Sequence, residues 1–144
     1  MLDILHRVII ETTPTKLFQA LTQQEGLSAW WTKNEASTEV GGHIIFGFGP
    51  QGEHKVGMQI IELVTDKIVK WRCTEGPWEG IGEFGFDIQP HERGAVLKFS
   101  HSAWKEADDF YMHCNCKWGF FLGVSLKEYL ETGQGKPHPQ NPNF

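Results

Sequence analysis

An α+β fold, with a curved antiparallel sheet wrapped around one long carboxyl-terminal helix, is what this sequence predicts, and three observations carry the prediction. Residues 108–133, DDFYMHCNCKWGFFLGVSLKEYLETG, place Tyr111, Trp118, Leu122, Ser125, Leu126 and Tyr129 at helical spacing, with Lys117, Lys127, Glu128 and Glu131 toward the other side. Residues 37–102 change to a period of two, the mark of strands with one apolar and one wet face. Between the first strand and that region lie two short helical stretches. A one-sided sheet has to cover its apolar face, and a rod of this length, roughly 35 Å at about 1.5 Å per residue, crosses a whole small domain.

Taken in order, residues 4–11 alternate as a strand, with Ile4, Val8 and Ile10 on one face and Leu5, Arg7 and Ile9 on the other, which leaves its orientation open. Thr13 followed by Pro14 reads as an N-cap and a first helical residue, and Leu17, Phe18 and Leu21 give that helix its apolar side. Gly26 interrupts it, and residues 27–31 form a second short helix whose adjacent Trp30 and Trp31 point in different directions, so that at least one plugs the core. Gly41 and Gly42 precede a strand containing Ile44, Phe46 and Phe48, and residues 54–64 carry Val56, Met58 and Ile60 on one row. Glu62 continues that row. A buried carboxylate there would be the general-base candidate, whereas a bulge or strand end would take the role away.

Asp66-Lys67 marks a tight turn into residues 68–74, where Val69, Trp71 and Cys73 alternate with Lys70, Arg72 and Thr74. Gly76-Pro77 turns the chain toward Phe84, Phe86 and Ile88, and residues 90–94 turn it again before Leu97, Phe99 and His101. Four or five consecutive hairpin-linked strands make an antiparallel meander. Asp108 caps the long helix and Gly133, with Pro137 beyond, stops it. Residues 1–133 are therefore expected to form one domain, with 134–144 as a loose or surface-draped tail.

Composition narrows the function classes. A chain of 144 residues with 40% hydrophobic content suits one domain around one core. A formal charge of −5 and the lack of a Lys/Arg cluster argue against nucleic acid, which needs cations against its phosphates. Three cysteines, Cys73, Cys114 and Cys116, without a secretory leader point to reduced thiols in a cytoplasm. No apolar run is long enough to span a bilayer, so no membrane is expected as a partner.

Two motifs invite chemistry. Gly47-Phe48-Gly49-Pro50-Gln51-Gly52 has the glycine spacing of a dinucleotide loop, but the residues after it read as a strand where a helix N-terminus would be needed, so a hairpin turn is the better account. His113, Cys114 and Cys116 are zinc-ligand types whose directions on a helix diverge, Cys114 inward and the other two outward, so neither a metal nor a cofactor is expected. Phe120 and Val124 fall on the helix side that also holds Lys127 and Glu131. Apolar groups on an otherwise polar face, beside Gly119 and Gly123, point to a homodimer contact or to packing by the tail around Phe144.

The opening strand followed by TTPTKLFQALTQQEGLSAWW, then GGHIIFGFG, and the helix end SLKEYLETGQG resemble the START-like, birch-pollen-allergen-like (SRPBCC) superfamily of helix-grip proteins. Within it the chain is most similar to the branch named after the activator of the heat-shock protein 90 ATPase. The resemblance implies a cavity between sheet and helix, in a superfamily whose members bind or process unrelated ligands and offer no shared catalytic residues. The leading expectation is non-catalytic binding of a small hydrophobic or aromatic molecule, with Trp31, Trp71, Phe84, Phe86, Phe99, Tyr111, Trp118 and Leu122 lining the site and His101 and Asn115 as polar contacts. Alternatives are a cyclase- or hydrolase-like enzyme using a cavity His or Glu as proton shuttle, and a chaperone-interacting module, although the full activator carries a further domain.

Overall fold

In the computed structural model, which describes residues 1–144, the two-residue period resolves into seven strands. The order is β1 (Leu2–Ile10), α1 (Pro14–Thr22), α2 (Gln24–Trp30), β2 (Asn34–Ala36), β3 (His43–Phe48), β4 (His54–Val64), β5 (Ile68–Glu75), β6 (Phe84–His91) and β7 (Gly94–Trp104). They form one antiparallel sheet in the order β1-β7-β6-β5-β4-β3-β2. Strands β2 to β7 follow one another as a meander, while α1 and α2 carry the chain across so that β1 pairs with β7 at the far edge. Register decides the orientation that alternation left open. Ile4 pairs with His101 and Ile10 with Ala95. Ile4 and Ile10 are buried and Leu5 is 67% exposed.

Strand β2 escapes a periodicity argument because three residues are too few to show a period. What holds it is Asn34, a buried amide that donates to Gln24 O, Ser28 Oγ and Thr32 O at 3.0–3.2 Å. The glycine-rich stretch 47–52 is the β3–β4 hairpin, with Gly49 at φ +87° and Gly52 at φ +71°. Glu62 does not continue the buried row: a bulge between Ile60 and Glu62 turns it outward, opposite Lys70, with which it makes a half-exposed ion pair at 3.6 Å. That removes the candidate general base.

The terminal helix starts and stops where its end signals lie. Asp108 accepts from Tyr111 N at 2.9 Å, and Gly133, at φ +91°, donates to Tyr129 O at 2.8 Å. Its middle is different from a uniform α rod: α3 (Asp109–Phe120) passes into a π-helical segment (Phe121–Leu126) and then α4 (Lys127–Thr132), with helical backbone at both junctions. The wider turn shifts the period, so that the adjacent pairs Phe121-Leu122 and Ser125-Leu126 all face inward. The buried stripe is therefore Cys114, Trp118, Phe121, Leu122, Ser125 and Leu126, while Tyr111 and Tyr129 at its ends are half-buried. None of these helices is long and apolar enough to cross a membrane.

The tail is draped and held. Lys136 N donates to Ser125 Oγ at 2.8 Å, and His138 N donates to Trp31 O at 2.7 Å. Gly135 is buried, since a β-carbon there would meet Ala29 O at 2.6 Å. Of the two contacts expected for Phe120, the one within the chain is made: its ring lies 6.2 Å from that of Phe144.

Candidate functional site

The inner face of the sheet is packed solid where it meets the helix. Trp71, Phe84, Phe86 and Phe99 are each 0–2% exposed, and the Phe99 and Trp118 rings lie 4.5 Å apart. Space walled by aromatic side chains opens to one side of this packing. A cleft of about 360 Å³ lies between the β3–β4 hairpin (Phe48, Gly49, His54, Val56), the β5–β6 loop (Pro77, Trp78), the helix (Phe110, His113, Cys114, Lys117, Trp118, Phe121) and His138 of the tail, with Trp31 also in its wall. That volume lies at the small end of the range used for small-molecule sites.

Each wall has a local cause. Trp31 follows the last residue of α2 and stacks on Trp71 at 6.0 Å and 3°, which fixes one face of its indole in the core. Trp78 sits on a short loop opened by Gly76 at φ +126°, and its indole N–H reaches Cys114 Sγ at 3.4 Å, tying loop to helix. His138 is clamped at both ring nitrogens: Gly49 N donates to Nε2 at 3.2 Å, and Nδ1 lies 3.2 Å from Asn141 Oδ1. The π-helical segment turns Phe121 inward, toward the same cleft.

Of the ten residues nominated from sequence, only Trp31 and Trp118 line this cleft. Trp71, Phe84, Phe86, Phe99 and Leu122 form the packed core beneath it. Asn115 is exposed, one position round the helix from buried Cys114, and does not face inward. Tyr111 packs edge-on against Trp104 and donates its hydroxyl to Asp3 O at 3.0 Å, tying the helix start to β1. His101 is enclosed: it stacks on Phe84 at 3.7 Å, and its Nε2 lies 3.0 Å from Ile81 O. Burial pushes its pKa down to about 4, against a smaller opposing effect of that carbonyl. His101 and Glu62 are thus both outside the cleft wall, whose own histidines are His54, His113 and His138.

Of the twelve lining residues that sequence reasoning missed, four (Gly49, Pro77, Trp78 and His138) lie on connections and the others on β3, β4 or the terminal helix. Pro77 and Trp78 were covered by a turn signal, yet an indole inside a Gly-Pro turn is a large apolar group with no strand row to join, and that was the available clue. His54 and His138 come from distant segments and gave no local pattern, and His113 was weighed only as a zinc ligand. Cys114 is buried, which raises its thiol pKa despite the Trp78 N–H, so it stays a protonated thiol. Cys116 and His113 point outward, as their helical positions require, and no group of three or more His, Cys, Asp or Glu side chains gathers closely enough to hold a metal ion.

A family model described as "Activator of Hsp90 ATPase homolog 1-like protein" matches residues 11–131. Among solved structures, the Aha1 dimer from Colwellia psychrerythraea, determined in solution, is 37% identical and superposes with a TM-score of 0.84, covering 94% of this chain and 100% of its own. A Staphylococcus saprophyticus protein is 18% identical with a TM-score of 0.79, covering 93% of this chain and 95% of its own. A Bacillus halodurans protein is 20% identical with a TM-score of 0.74, covering 91% and 98%. The last two speak for the fold alone. No curated protein matches the sequence.

Proposed function

Given that the chain belongs to the family of activator of Hsp90 ATPase homolog 1-like proteins, we propose that it is a non-catalytic binder of a small aromatic or otherwise apolar molecule. The observation that carries this reading is the cleft itself, in which six aromatic side chains, Trp31, Phe48, Trp78, Phe110, Trp118 and Phe121, border one small volume. Its walls come from rigid elements and a clamped tail, so little ordering cost stands against binding. The setting proposed is cytoplasmic, consistent with three unpaired cysteines.

The test uses phenylnaphthylamine, a neutral apolar fluorophore whose emission rises on leaving water. It should bind the protein, and Trp78→Ala should weaken that binding about tenfold, the loss of one large aromatic wall. Trp78 is a half-buried loop residue, and the far-ultraviolet circular dichroism of the variant checks that the fold is kept. Equal affinity in the variant would sink the cleft as the binding site.

The family's name and the Colwellia relative support two further readings, contact with a heat-shock protein 90 ATPase and self-association through the Phe120 and Val124 side of the helix. Stimulation of such an ATPase is the measurement for the first, and solution mass is the measurement for the second.

A further inference from the structure

The cleft is electrostatically one-sided. Its lining contains Lys117 and three histidines, His54, His113 and His138, and no Asp or Glu, in a chain whose 18 acidic residues outnumber its 13 Lys and Arg. Resting on the reading of the cleft as a ligand site, we propose that its ligand is an aromatic or apolar acid, one flat hydrophobic body bearing a single anionic group, with Lys117 as the counter-charge.

Three lysines are half-buried, Lys70, Lys117 and Lys127. Lys70 pairs with Glu62 and Lys127 with Glu131, whereas Lys117 has no acidic partner. An anion entering a cleft that holds this ammonium and no carboxylate meets one sign of charge, and apolar walls focus that field. His113 lies one helical turn before Lys117, so the two project from the same side of α3. The other two histidines are already engaged. His138 has both ring nitrogens taken by Gly49 and Asn141, and His54 lies 4.0 Å from Glu53. Only the helix side of the cleft therefore offers an unmatched cation, while Trp31, Trp118 and Phe121 supply the apolar floor. A neutral ligand would leave that charge unpaired, and a cationic one would be repelled by it.

Two probes of nearly the same shape separate the ideas: neutral phenylnaphthylamine and anilinonaphthalene sulfonate, which adds one anionic group. Lys117→Gln should weaken the sulfonate about fivefold, as expected for one partly screened ion pair. The ratio of sulfonate to neutral-probe affinity should fall accordingly in that variant, Lys117→Arg should restore the sulfonate, and added salt should weaken the sulfonate alone. Lys98→Gln, an exposed strand residue outside the cleft, is the control and should alter neither. Unchanged sulfonate affinity in Lys117→Gln, equal weakening of both probes, or the same loss in Lys98→Gln would overturn the counter-charge while leaving the cleft standing. Failure of both probes to bind the unmodified protein would instead remove the cleft reading and this one with it.

Discussion

His101 shows how far a single side chain can depart from the role its sequence position suggests. At the end of an apolar row it looks like the polar tip of a greasy pocket, yet the structure seals it between Phe84, Trp104 and the Ile81 carbonyl, which takes the Nε2 proton and leaves Nδ1 without a partner. Its folded pKa, about 4, lies below the ordinary value of 6.5. Between those values the unfolded chain binds a proton that the folded one refuses, so its contribution to stability is intact above pH 6.5, falls as the pH drops toward 4, and then levels off. The full loss is about 3 kcal/mol. Urea midpoints measured from pH 7 to pH 4 should decline in the parent protein, and His101→Phe should flatten that part of the decline. An unchanged slope would mean that His101 is not kept neutral. At this scale, alternation tells which residues face inward but not whether they meet a void or other side chains. Trp71, Phe84, Phe86 and Phe99 were rightly inward and wrongly in an open space.

Among the elements, the terminal helix was legible at its ends and not in its middle. Asp108 and Gly133 act through local hydrogen bonds and φ preference, which a sequence displays directly. The π-helical turn is chosen by packing: it brings both Phe121 and Leu122 onto the core, and Ser125 to the back of α2. There the Ser125 hydroxyl donates to Trp30 O at 2.6 Å and accepts from Lys136 N at 2.8 Å, fastening α2, helix and tail at one atom. Ser125→Ala should cost about 1–3 kcal/mol, because the Trp30 carbonyl is left buried without its donor. The tail amides near residue 136 should also exchange faster with deuterium. A chemical midpoint within error of the parent's would show that the junction holds without the hydroxyl. The short strand β2 was missed for the complementary reason, since its place is set by Asn34 bridging to α2 and not by any alternation.

For the molecule as a whole, the antiparallel meander and the wrapped helix followed from period changes alone, because one-sided faces admit few arrangements. The cleft did not, since its wall is assembled from Trp31, the hairpin, the loop at Trp78, the helix and His138, segments that approach only after folding. Self-association belongs to this scale too. Phe120 is half-buried beside Phe144, Val124 lies one turn further on, and Gly123 leaves open space where a side chain would sit. If a second copy docks on that side, Phe120→Asp should halve the mass found by light scattering during size exclusion; a parent protein already monomeric, or a variant of undiminished mass, would dismiss the docking. The packing described around Trp31 has one more consequence. Trp30, Trp31 and Trp71 lie nearly parallel, 14° and 3° apart at centroid spacings of 5.9 and 6.0 Å. Three indoles so arranged share their ultraviolet excitation, so the chain carries a coupled chromophore that exists only while helix α2 and strand β5 stay in register, an optical signature of the assembled state that no isolated segment can give.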